Sequence, residues 1–164
     1  MAWMRERIEL PPELNARDRE IVLDEVTDFI RKRSARGRDK NNRAFPEYSK
    51  EYKNSLDFRN TGKTPGNVNL KLSGDMLAAL DTISHRQGSG LIGYENGTEE
   101  NDRAEGNITG SYGGKANPAK ARDFLGITDK DLEKVVNKKS VVDRLSVDVS
   151  ELPNGRLGIR ARVS

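Results

Sequence analysis

One amphipathic stripe constrains this chain more than any other feature. After Asn15, the apolar residues Val22, Val26, Phe29 and Ile30 recur at helical spacing, and Ile21 and Leu23 widen the face. The spacing predicts a helix over Ala16–Ser34 with Asn15 as its N-cap. Asp28 and Lys32 stand four apart in the order that favours pairing. Arg31, Lys32 and Arg33 load the end where the helix dipole favours cations, and Gly37 stops the run. The rest of the fold has to be read around this helix.

The core it joins must be small. Of 164 residues, 34% are hydrophobic and 34% are charged, where globular chains average about 45–50% and about 25%. The length suits one domain, 1–164. With no Cys and one His, disulfide scaffolds, thiol nucleophiles, Cys-based zinc sites and multi-His metal cages are excluded. No stretch approaches the roughly 18 apolar residues of a membrane span, and the start lacks a secretory pattern, so a soluble protein without membrane partners is expected. A net charge of +3 does not by itself imply a nucleic-acid binder.

Segments 1–14 and 36–67 are the least regular. The first carries Trp3, Ile8 and Leu10 before Pro11-Pro12 and reads as an extended N-terminal arm. The second carries Phe45, Tyr48, Tyr52 and Leu56 at spacings of three, four and four, with Pro46 where a first helical turn accepts it. A short amphipathic helix on an extended docking excursion is predicted, because so small a core can hardly cover the stripe. Phe45, Tyr48, Tyr52 and Phe58 are the candidate subunit-interface residues. A second polar stretch, 94–120, holds Glu95, Glu99, Glu100, Asp102 and Glu105, whose spacing is not that of a calcium loop; a solvated loop is the reading.

Shorter patterns complete an α+β expectation. Val68–Leu72 alternates as a half-buried strand, and Ser73 can cap a helix that buries Met76, Leu77 and Leu80. Two strands follow at Thr82–His85 and Leu91–Tyr94, joined by the Gly-rich turn Arg86–Gly90. Asp123–Ile127 reads as a strand or extended piece, with Phe124, Leu125 and Ile127 in the core. Thr128 and Asp131 begin a last helix that buries Leu132, Val135 and Val136 and ends at Lys138 and Lys139. Residues 144–163 alternate as a C-terminal β-hairpin around Pro153-Asn154-Gly155. The expectation is a small antiparallel sheet with a long N-terminal helix, two shorter helices, long extended loops and this hairpin.

Three motifs carry little chemistry. Gly88–Gly93 matches GxGxxG but runs into the turn sequence Tyr94-Glu95-Asn96-Gly97 instead of a helix, so a strand connection is the reading. Gly62-Lys63-Thr64 lacks the glycine a phosphate loop needs five residues earlier, where Asp57 stands. His85 has Ser84 and Asp81 near it in sequence only, and neighbouring strand residues face opposite sides, so a structural histidine is expected. The one local charge asymmetry is Arg31, Lys32, Arg33, Arg36, Arg38, Lys40 and Arg43, broken only by Asp39. It can neutralise phosphates, or pair with acidic groups of a neighbouring subunit, which is the favoured use.

Several segments in order resemble a family: Asp28-Phe29-Ile30, Gly37-Arg38-Asp39, Ala44 through Lys53, Val68 through Leu77, Ile92-Gly93, Ala104-Glu105-Gly106, Tyr112-Gly113 and Arg122 through Ile127. Over Asp24 to Leu132 the chain resembles the tailed-bacteriophage virion-morphogenesis proteins, the neck, head–tail joining or tail-completion proteins. The resemblance implies an α+β subunit of a homo-oligomeric ring, without catalysis or cofactor. Its partners would be copies of itself, neighbouring portal, connector or tail-tube/sheath proteins, and genomic DNA passing through the ring. Its place would be the virion, and the host cytoplasm during assembly. An accessory protein that binds nucleic acid through 31–43 is the alternative.

Overall fold

The computed structural model describes residues 3–61, 63, 66, 68–70, 74–112 and 114–147. The chain is α+β, and its long helix α1 spans Ala16–Ala35. The Asn15 side chain accepts a hydrogen bond from the Asp18 amide at 2.9 Å, which satisfies one of the donors a helix start leaves open. Val22, Leu23, Val26 and Ile30 are wholly buried, so the apolar stripe is the floor of the core.

Against this helix lies a three-stranded antiparallel sheet of β1 (Arg5–Glu9), β2 (Asp81–Arg86) and β3 (Ser89–Gly93), in the order β1-β3-β2. Ile8 and His85 both register with Gly90 of the central strand. The hairpin between β2 and β3 turns at Gln87 and Gly88, where Gly88 takes a φ of +83°, open to glycine at little cost. Gly90 serves a different need. A Cβ there would stand 2.5 Å from Leu23 Cδ1, so the bare backbone lets α1 close on the sheet. The GxGxxG pattern is therefore a hairpin and a helix contact.

His85 ties β2 to α1. Its Nδ1 accepts from Arg19 Nε at 3.1 Å, which leaves the proton on Nε2, 3.3 Å from Glu20 Oε1.

The core closes with α4 (Asp75–Ala78), α6 (Asp129–Val136) and α7 (Lys139–Val142). Met76, Leu77, Leu80, Phe124, Leu125, Leu132, Val135 and Val136 join one cluster with the α1 stripe, and Ile127 packs on its edge. Thr128 caps α6 through the Asp131 amide, as its sequence pattern predicts. Tyr94 and Phe124 meet edge to face at 6.5 Å. Burial pushes the Tyr94 hydroxyl far above its ordinary range.

Several expectations are corrected. Segment 1–14 is not a free arm: it carries β1, because Ile8, Leu10 and Leu14 are apolar enough to be buried and Pro11-Pro12 only ends the strand. Residues 68–70 form no strand, and Ser73 lies outside the described residues; α4 starts from Gly74 at φ +74° with no side-chain cap. The acidic stretch is not a loop. It forms α5 (Glu99–Thr109), capped by Thr98, whose hydroxyl accepts from the Asn101 amide, and ended by Gly110 at φ +70°. Beyond α1, six shorter α-helices stand among the described residues, where two were expected. Of the expected hairpin 144–163, residues 144–147 form no strand, and the remainder lies outside the described residues. The amides of Ser146 and Val147 instead donate to the buried Asp18 carboxylate at 2.9 and 3.3 Å.

Candidate interface cleft

The expected docking excursion folds back on its own subunit. Asp39 sets its first turn: the carboxylate accepts from the amides of Asn41 and Arg43, and the Asp39 amide donates to the Arg43 carbonyl. Phe45 then enters the main core at 5% exposure. Two one-turn helices follow, α2 (Lys50–Lys53) and α3 (Leu56–Asn60), each started by a serine. Ser49 Oγ accepts from the Tyr52 amide and Ser55 Oγ from the Phe58 amide. The helix restarts at Ser55, which rotates the inward face by one step. Leu56, expected in the stripe, is 72% exposed, and Phe58 is buried at 4%.

Tyr48, Tyr52 and Phe58 form a triangle with ring centroids 5.3–5.5 Å apart, in tilted and edge-to-face pairs. Such geometry adds about 0.5–1.5 kcal/mol per pair beyond the area buried. Phe45, Tyr48 and Phe58 are thus covered within the subunit, against the expectation that a neighbour covers them. Tyr48 and Tyr52 keep one side on a cleft.

That cleft has a volume of 1210 Å³ and runs between the aromatic triangle and α5. Its far wall is built by Asn107, Tyr112 and Arg122. The Arg122 amide donates to the Asn107 carbonyl, and Arg122 Nη1 donates to the Tyr112 hydroxyl at 2.9 Å and to Asn107 Oδ1 at 3.5 Å. The guanidinium carbon stands 5.0 Å from the Tyr48 ring centre and 5.7 Å from that of Tyr112, within cation–π range of both. Lys63 Nζ lies 4.8 Å from the Tyr48 ring centre. Burial raises the Tyr112 hydroxyl above its ordinary value, and Arg122 pulls it back. Tyr112 also holds a φ of +43°, a backbone region that disfavours side chains other than glycine.

Both charge signs line the cleft: Lys63, Arg103, Lys120 and Arg122, with Glu47, Glu99, Asp102 and Glu105. The sequence gives no spacing that links Arg122 to Tyr48, so only the fold brings them together. The readable signal on this wall was the start of α5, with Thr98 before three acidic residues of a first turn.

The basic run divides. Arg33 is buried at 2% exposure and donates through Nη2 to the carbonyls of Phe124 and Gly126 at 2.5 and 2.8 Å. Burial lowers its pKa, with Asp131, Asp39 and Asp123 opposing that fall. Arg31 donates to the carbonyls of Leu77, Ala78 and Leu80 and so closes the end of α4. Lys32 pairs with Asp28, and Lys40 pairs with Asp123 at 2.6 Å. These four are therefore not a free channel lining, because each is aimed at its own subunit. Arg36, Arg38 and Arg43 remain exposed, and the Arg38 guanidinium donates to the Asn42 carbonyl at 3.5 Å.

Among the described residues no three His, Asp or Glu side chains group so as to hold a metal ion, and no helix is long and apolar enough to cross a membrane. The chain matches no family model, no curated protein and no solved structure.

Proposed function

We propose that this chain is a structural subunit of an oligomeric ring at the neck of a tailed bacteriophage, connecting head and portal to tail by head–tail joining or tail completion. The ordered segments from Asp24 to Leu132 suggest the family, and the cleft is the observation that carries the assembly role. Three tyrosines and two arginines line it, the residue types that dominate binding energy at protein interfaces. Leu56 and Tyr112 stand exposed in the two segments that border it. Mixed charge on its walls suits register between protein surfaces more than turnover of a small substrate. The chain acts without catalysis in this reading. Its neighbours are further copies and the portal, connector or tail-tube/sheath proteins, with genomic DNA passing through the ring.

Native mass spectrometry of the purified protein, with fractionation of purified particles, tests the reading. A discrete ring mass and a fixed copy number in particles are expected. A monomer at every concentration that is also absent from particles would end it. The exposed Arg36, Arg38 and Arg43 favour a second reading, an accessory protein on nucleic acid. That reading expects DNA affinity falling steeply with salt and no protein retained in particles.

A further inference from the structure

We infer that the cleft is a seat for a polypeptide segment that brings one carboxylate to Arg122, flanked by basic residues that face α5. The inference rests on reading the cleft as an interface, and it names the chemistry of the occupant.

Arg122 is held at one end. Its Nη1 donates to Asn107 and Tyr112, and its guanidinium carbon stands 5.0 Å from the Tyr48 ring centre and 5.7 Å from that of Tyr112. Its Nε, by contrast, is buried with no hydrogen-bond partner. A buried unpaired donor on a cation is costly, and the acceptor that suits an oriented guanidinium edge is a carboxylate or phosphate. No carboxylate of the cleft reaches it, although Glu99, Asp102 and Glu105 line the same space. The residue placed to yield is Tyr112, half exposed on a left-handed backbone that stores strain.

The walls choose between carboxylate and phosphate chain. Four carboxylates share the cleft with Arg122, and a polyanion laid along it would meet them in turn. A single carboxylate at Arg122 meets the side of the cleft that also carries Lys63 and Lys120, and cations on either side of it can meet Asp102 and Glu105 of α5. A peptide of alternating sign satisfies both walls, and a nucleic-acid strand satisfies one.

The test uses the full chain labelled with 15N and two heptapeptides, Ac-Lys-Leu-Ser-Glu-Ser-Leu-Lys-NH2 and its counterpart with Gln at the centre. A single-stranded dT decamer is the third probe. The Arg122 Nε–H resonance reports the contact directly. The Glu peptide is expected to shift it saturably and to bind about tenfold tighter than the Gln peptide, the gain of one charge-assisted hydrogen-bonded pair. Arg122→Lys, with its fold checked by circular dichroism, should remove most of that preference. Asp102→Lys lies on the other wall and should weaken both peptides while keeping their ratio. If Arg122→Lys does not fold, the wild-type titration and Asp102→Lys decide alone. Equal binding of the two peptides, binding of neither, or displacement of the Glu peptide by the decamer would overturn the inference. None of these outcomes touches the ring mass, so the inference can fail while the ring reading stands.

Discussion

The half of the molecule built on α1 and the half that borders the cleft are held by different forces. In the first, Val22, Leu23, Val26 and Ile30 meet Ile8, Ile92, Leu80 and Phe124 in one continuous apolar cluster. In the second, three aromatic rings and two serine-capped single turns within residues 48–60 meet one clamped arginine from a distant segment. Apolar packing over a long helix is cooperative and resists local opening. A small satellite cluster with side-chain caps sits nearer the low end of local stability, where binding surfaces are found. The difference separates a scaffold from an adjustable wall.

Truncation in the scaffold should have the largest effect. Phe124→Ala removes a wholly buried ring from the main cluster and from its contact with Tyr94, and is expected to cost about 3–5 kcal/mol in global unfolding. Denaturant titration measures it, and a loss under about 1 kcal/mol would mean that the cluster is not one unit. Phe58→Ala takes a ring of similar burial from the cleft half. Its global cost is expected to stay below about 2 kcal/mol, less than a main-core ring, with hydrogen exchange speeding over 48–61. If both substitutions lower the whole transition equally, the two halves are one cooperative unit and the contrast fails.

The smallest effect should come from the outer side of α1. Burial, then Asp81 and Glu20, holds the Asp24 carboxyl above its ordinary value, with Arg31 and Arg144 pulling it back. The native state therefore keeps this proton to a higher pH than the unfolded chain. Stability is lost as pH rises from the unfolded value through the folded one. Asp24→Asn should raise Tm by about 1 °C at neutral pH and change nothing below about pH 4. A destabilised variant at neutral pH would show that the carboxylate is needed where it stands.

The legible parts of the sequence were those with apolar period. α1 was expected over Ala16–Ser34 and runs Ala16–Ala35; β2, β3 and the Thr128 cap fall within a residue or two of their patterns. What stayed hidden had physical causes. α5 presents only Ala104 and Ile108 as apolar helix spacing, so charge masked it, although Thr98 and Gly110 bracketed it. β1 is one strand whose partner lies far along the chain, a pairing no local pattern encodes. Arg33 belonged by composition to a basic surface, and its burial follows from carbonyls of residues 124 and 126 that only the fold presents. Of the cleft, the aromatic spacing singles out Tyr48 and Tyr52, while no signal in the sequence joins Arg122 to Tyr112.

The Asp18 carboxylate, which receives the amides of Ser146 and Val147, also bears on the order of folding. It closes a loop of 128 residues, where the β2–β3 hairpin closes around two. Each doubling of a flexible loop adds about 0.6 kcal/mol of closure entropy, so this contact starts roughly 4 kcal/mol behind the hairpin. Two hydrogen bonds to a carboxylate, about 1.5–3 kcal/mol each, do little more than balance that. The clasp at Asp18 gains most once α6 and α7 have docked on α1 and shortened the effective loop, which makes it a reporter of completed folding.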